Sequence, residues 1–154
     1  MKKLVFLLLS VAIVLSLSAC GGGTNPADLT KVMNDMKAKI QNQEMMDLSA
    51  NDLLPNYGIA IEDVKQFAAY VDSTGIKGDE ILLFEGKNAD AAKRIKAKLD
   101  ARYTQKETEM KDYLPAEFAV LKKCGVNQTG TYISMIVSPQ YEELNKIYNN
   151  AIKK

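Results

Sequence analysis

Apolar residues recur along the chain at two spacings, and the switches between them mark out the elements. Leu29, Val32, Met33, Met36 and Ile40 fall three and four apart, the repeat that places side chains on one helix face. Asn25 and Pro26, just ahead, suit an N-cap and a first helical residue. Asn51, Asp52, Pro55, Asn56 and Gly58 are turn formers and predict a loop. Val64 to Val71 then mixes apolar and polar positions, with Phe67, Tyr70 and Val71 favouring a strand. The turn-rich stretch Ser73-Thr74-Gly75-Ile76-Lys77-Gly78 leads into Glu80-Ile81-Leu82-Leu83-Phe84, which closes at Gly86, so the two strands are expected to pair as a hairpin. Ile81 and Leu83 point one way while Leu82 and Phe84 point the other. A strand apolar on both faces needs cover on both sides or a central place in its sheet.

Helical spacing returns after Asn88, a capping residue with Asp90 in the first turn behind it, and Ala92, Ile95, Leu99, Tyr103 and Met110 mark the buried stripe. Tyr113-Leu114-Pro115 interrupts this helix, and Pro115 starts a shorter one carrying Phe118 and Leu121 and stopping at Gly125. From Thr131 to Val137, Ile133, Met135 and Val137 alternate with Tyr132, Ser134 and Ile136, the signature of a third strand. Ser138 and Pro139 open a last helix with Leu144, Ile147, Tyr148 and Ile152. The expected fold is α+β, a small, mainly antiparallel three-stranded sheet packed with about four helices in the order αββααβα. Whether the third strand pairs with the first or the second is open at this level.

Ahead of this domain the pattern is of another kind. Lys2 and Lys3 precede an apolar run from Leu4 to Leu17 and a small-residue site, the three regions of an export signal. Leu17-Ser18-Ala19-Cys20 resembles the lipobox of bacterial lipoproteins. The resemblance implies a diacylglyceryl thioether on Cys20, cleavage between Ala19 and Cys20, and Cys20 as the anchored first residue. Two acyl chains, at about 0.8 kcal/mol per buried methylene, hold a protein where one chain binds only marginally. An uncleaved membrane span is the competing reading. Leu4 to Ala19 is shorter than the roughly 20 residues a bilayer requires, and Ser10, Ser16 and Ser18 dilute it. The expected organisation is a signal peptide over 1–19, a lipidated Cys and glycine tether over 20–25, and a single globular domain over 26–154. Gly21 to Asn25 reaches about 12 Å as a random coil, which holds the domain against the extracytoplasmic face of the cell membrane.

Charge and residue usage narrow the chemistry. The 20 Lys and Arg against 19 Asp and Glu leave a net charge of +1, and loss of Lys2 and Lys3 brings the mature chain close to neutral. No global field recommends nucleic acid as a partner. Histidine is absent, which removes Cys-His and Ser-His nucleophile pairs, imidazole bases and the usual zinc ligand sets. With Cys20 blocked, Cys124 has no disulfide partner, and a free cysteine of this kind behaves as a small buried hydrophobe. Phosphate and nucleotide motifs of the types G-x-x-x-x-G-K-[ST], G-x-G-x-x-G and G-x-S-x-G do not occur. Asn127-Gln128-Thr129-Gly130 is oxygen-rich but lacks the carboxylates of a calcium loop. Neither a cofactor nor a metal is expected.

Tyr57-Gly58-Ile59, Asp79-Glu80-Ile81, Arg102, Tyr113-Leu114-Pro115 and Gly130-Thr131-Tyr132 follow one another in an order and spacing that is informative as a set. In these features the mature chain resembles a family of small exported bacterial lipoproteins, best known in Firmicutes, the domain of unknown function 4358. The resemblance implies architecture and location, lends no role to Cys124, and brings no activity. Glu80, Arg102, Tyr113 and Tyr132 are the candidate ligand or partner site, a polar cleft that Asp79 would adjoin. Asp79 and Glu80 are neighbours on a strand and point to opposite faces, so they do not form a facing pair. Glu62-Asp63 and Glu142-Glu143 are weaker candidates, Lys93, Arg94, Lys96 and Lys98 suit the solvated side of an amphipathic helix, and Met33, Met36, Met45 and Met46 suit core filling.

The expected function is a membrane-anchored, non-catalytic interaction or ligand-binding module. Its partners would be the bilayer, through diacylglyceryl-Cys20, and an envelope protein or small ligand. An envelope-acting enzyme using carboxylate, Lys or Tyr chemistry is the alternative, favoured by a deep cleft holding Glu80 and Arg102 with a raised carboxylate pKa. An accessory solute-binding lipoprotein ranks behind both, because a single domain of this length falls short of a two-lobed clamp.

Overall fold

The structure, a computed structural model, describes residues 26–153. The segments expected as signal peptide, lipidated Cys20 and tether, and the expected Asn25 cap, lie outside the described residues. Helix α1 (Leu29–Lys37) is followed by β1 (Met45–Asp47), α2 (Ala50–Tyr57), a 3-10 turn (Ile61–Asp63), β2 (Val64–Asp72) and β3 (Glu80–Gly86). Next come α3 (Ala89–Tyr113), α4 (Pro115–Leu121), β4 (Gly125–Thr129), β5 (Tyr132–Val137) and α5 (Tyr141–Ile152). All strand pairs are antiparallel and the sheet order is β1-β2-β3-β5-β4.

The α+β class stands, but the expected three-stranded sheet with about four helices is overturned: among the described residues the sheet has five strands and five α-helices accompany it. Two extra strands sit at the edges. β1 is too short to show a period, and β4 carries Asn127, Gln128 and Thr129, polar residues that an edge strand tolerates because part of it faces water. The segment expected as a loop is α2. The Asp52 carboxylate accepts from both the N–H and the hydroxyl of Ser49 (2.8 and 2.7 Å), and Gly58 ends the helix in the left-handed region at φ 63°. Pro55 lies inside the helix, where it has no N–H to give the Asn51 carbonyl. Helix α1 starts later than its sequence suggests. Asp28 caps it, accepting from the N–H groups of Thr30 and Lys31 (2.9 and 3.1 Å), and Pro26 lies before its first turn.

β3 lies at the centre, paired with β2 on one side and β5 on the other, and it is buried along its whole length. That placement explains its two apolar faces. Leu82 and Phe84 meet Leu53 of α2, Ile95 and Leu99 of α3 and Leu121 of α4. Ile81 and Leu83 meet Leu29 and Met36 of α1 and Leu144 and Tyr148 of α5. The domain is therefore a sheet between two helical layers. Helix α3 runs back along β3 at very close range: a Cβ on Gly86 would lie 2.6 Å from the backbone nitrogen of Ala92. Only glycine allows that approach. Met33 and Met36 are core residues as expected, whereas Met46 on edge strand β1 is largely exposed.

Candidate functional site

The strongest polar cluster under the sheet is built on Glu80, the first residue of β3. Its alternation with Leu82 and Phe84 aims it at α3, where Arg102 and Lys106, four residues apart, share a face. Arg102 grips the carboxylate with two nitrogens, Nε 3.1 Å from Oε1 and Nη2 3.0 Å from Oε2, and Lys106 Nζ adds a bond of 2.7 Å to Oε2. Glu80 is only 2% exposed, and Lys106 is buried as well. Burial pushes the Glu80 carboxyl up, but the two cations outweigh it and hold the group below the usual carboxylate range. The Arg102 guanidinium lies 6.0 Å from the centre of the Tyr57 ring, and burial together with the Glu80 charge drives the Tyr57 phenol far above its usual range. At neutral pH the cluster is one anion, two cations and a neutral phenol. Each oxygen of Glu80 is engaged, which makes it a locked ion group rather than a proton carrier.

Of the residues singled out from sequence, the fold brings Glu80 and Arg102 together and separates the other two. Tyr113 is the last residue of α3 and 83% exposed, turned to solvent where the helix ends. Tyr132 begins β5 opposite Glu85, at the far end of β3 from Glu80, and its hydroxyl accepts from the Ala27 N–H (3.1 Å). Lys106 and Tyr57 complete the cluster in their place. Tyr57 belongs to the Tyr57-Gly58-Ile59 signature, and the i,i+4 spacing of Arg102 and Lys106 was the available signal for the lysine.

Asp79 occupies a different environment from its neighbour. It is 5% exposed, receives a 3.4 Å contact from the Asn42 amide, and has one carboxylate oxygen without a partner among the described residues. Burial pushes its carboxyl up, against the lowering influence of Ser138 and Asn42. Cys124 is half-buried, its thiol pushed up by burial, with Sγ 3.3 Å from the Val120 carbonyl. In each of the weaker acidic pairs one carboxylate is ion-paired: Asp63 holds Arg94 and Glu143 meets Lys39. Lys93 and Lys96 pair with Asp90 and Asp100 on the solvated side of α3. Apart from the Glu80 cluster, the turn from Gly58 to Ala60 together with Asp63, Arg94, Ile95, Ala97 and Lys98 lines a mostly apolar open cleft of about 320 Å³. Among the described residues no group of three or more Cys, Asp or Glu side chains is placed to hold a metal ion.

No curated protein and no solved structure matches the chain. The family described as Domain of unknown function (DUF4358) matches residues 27–138, a span that takes in the whole sheet, the Glu80 cluster and the cleft, and the chain belongs to that family.

Proposed function

We propose that the protein is a lipoprotein anchored on the extracytoplasmic face of the membrane, and that its domain is a non-catalytic interaction or ligand-binding module. The observation that carries the non-catalytic reading is the state of Glu80. A general acid needs a carboxyl held above the usual range and free to move its proton, whereas Arg102 and Lys106 hold this one ionised and occupied. The cleft behind Gly58 falls at the small end of the roughly 300–1,000 Å³ typical of ligand pockets; its surface is mostly apolar, and of its charged lining Asp63 and Arg94 are paired with each other, leaving Lys98. The anchored part of the reading rests on Leu17-Ser18-Ala19-Cys20 behind its basic and apolar leader.

The test is crosslinking of epitope-tagged protein in its own cells, followed by mass spectrometry, with Cys20→Ala as the unanchored control. Intact mass of the mature protein should show a chain beginning at a diacylglyceryl cysteine. A partner captured by the anchored form and lost with Cys20→Ala supports the module. Full cellular function from a secreted, unanchored form refutes it.

A further inference from the structure

The chain enters the domain at one end of the sheet and is pinned there. The Ala27 N–H donates to the Tyr132 hydroxyl (3.1 Å), the Gln66 amide donates to the Ala27 carbonyl (2.8 Å), and the Leu29 N–H donates to Gln66 Oε1 (3.0 Å). Gln66 also donates to the buried Glu85 (2.6 Å), which ties the clamp to the central strand. Gln66 lies near the start of β2 and Tyr132 at the start of β5, and both pair with Glu85 near the end of β3. Whatever precedes Pro26 therefore leaves from this end. The stretch from Gly21 to Asn25 spans about 12 Å as a coil and about 17 Å at full extension.

The same end carries apolar surface that nothing in the described fold covers. Ile61 is 45% exposed in the 3-10 turn directly before β2. That turn is held in place by a 2.9 Å bond from the Lys87 N–H, just after β3, to the Asp63 carbonyl. The apolar cleft behind Gly58 adjoins it. Charge here is close to balanced: Lys65 pairs with Glu85 and Arg94 with Asp63, Glu62 and Lys87 offset each other, and Lys98 on the cleft wall adds one cation.

Resting on the lipid-anchor reading above, we infer that this end, led by Ile61, lies on the bilayer that carries the anchor. The opposite end, the turn after β2 with Ile76 69% exposed, points away from it. The ends are separated by the length of β3, Glu80–Gly86, about 20 Å at the strand rise, which is more than the tether spans. A tether this short holds Ile61 near lipid at an effective concentration of millimolar order, so a weak apolar contact is populated. Because the charges nearly cancel, the contact depends chiefly on apolar insertion and tether length and is only weakly sensitive to salt and to anionic lipid.

The experiment uses the mature lipidated protein, reconstituted into phosphatidylcholine vesicles with and without phosphatidylglycerol. In a Cys124→Ser background a fluorophore is attached through Ile61→Cys, Lys87→Cys or Ile76→Cys, the second site serving if the first disturbs its turn. Nitroxide carried on the lipid headgroup should quench labels at 61 and 87 several-fold more than at 76, and iodide in the water should show the reverse order, in both vesicle types. Equal quenching at all sites, or stronger lipid quenching at 76, overturns the orientation. Strong dependence on phosphatidylglycerol overturns the charge-balanced contact. An intact mass showing unmodified Cys20 is a separate failure, that of the anchor reading itself.

Discussion

Substituting Glu80→Gln removes one charge and almost no volume, and it tests whether the cluster under the sheet is a locked ion group. The change leaves Lys106, buried and 2.7 Å from Oε2, facing a neutral amide, while Arg102 keeps a quarter of its side chain exposed and can turn to water. Removing one partner of a buried ion pair costs about 3–5 kcal/mol. The partial escape of Arg102 places Glu80→Gln at the lower end, about 3 kcal/mol. Lys106→Met leaves Glu80 gripped by Arg102 and should cost about 1.5–3 kcal/mol, the value of one charged hydrogen bond. The double variant no longer strands an ammonium, so it should be more stable than Glu80→Gln alone by about 1–2 kcal/mol, a large coupling for two residues. Equilibrium urea denaturation followed by circular dichroism reads these numbers. With a slope of about 2 kcal/mol/M, Glu80→Gln lowers the midpoint by about 1.5 M. A loss below about 1 kcal/mol, or a double variant no better than the single one, refutes the argument. The pH dependence follows from the direction of the shift. Glu80 is held below its ordinary value, so its contribution is complete above the unfolded value, about 4.3, and is lost as pH falls through the lower folded value. The wild-type and Glu80→Gln stability curves therefore converge in acid.

Gly86→Ala places a Cβ 2.6 Å from the Ala92 nitrogen, forcing α3 off the sheet; thermal denaturation should show a loss of about 2–3 kcal/mol. Asn88→Ala removes the side chain that accepts from the Ala91 N–H (2.9 Å) at the start of α3 and should cost about 1 kcal/mol in urea denaturation. Asp79→Asn should raise stability at neutral pH, because the wild-type carboxyl is pushed up by burial and its ionisation opposes folding. That gain should fade as pH falls from the raised folded value, where Asp79 takes up its proton, to the ordinary carboxylate value, and be gone below it. Cys124, half-buried with its thiol pushed up, should react with iodoacetamide at least about tenfold more slowly in the folded protein than in urea; equal rates would show the thiol to be open.

The centre of this fold is legible in sequence and its margins are not. A run apolar on both faces, Ile81 to Phe84, requires cover on both sides, and β3 occupies that position. Asn88 and Pro115 mark the starts of α3 and α4 because a cap and an N-terminal proline act locally. β1 and β4 escape because edge strands are specified by a partner elsewhere in the chain, β2 and β5 here, and not by their own period. α2 escapes because Asn51, Asp52, Pro55 and Gly58 are turn formers individually, while the Ser49 and Asp52 pairing and the left-handed Gly58 make them the two ends of one short helix. At the site, Glu80 and Arg102 are visible as charges. Their contact depends on α3 running back along β3, a long-range arrangement that one sequence does not encode locally.

Asp79 and Glu80 show why a pair of carboxylates in sequence is not a pair in space. One step along the chain moves a side chain from beneath α3 to the end of the sheet beside Asn42. Two cations hold Glu80 below its usual range, and burial pushes Asp79 above its own. Two carboxylates whose pKa values are driven apart are the ordinary mark of an acid and base working on one substrate. That role requires both to reach the same reacting atom, and the pleat sends these two in opposite directions. The perturbation here is the consequence of where each neighbour falls in the fold. It fits a part in the stability of the domain, and on the proposed reading the places to look for a binding surface are the cleft behind Gly58 and the end of the sheet that bears Ile61.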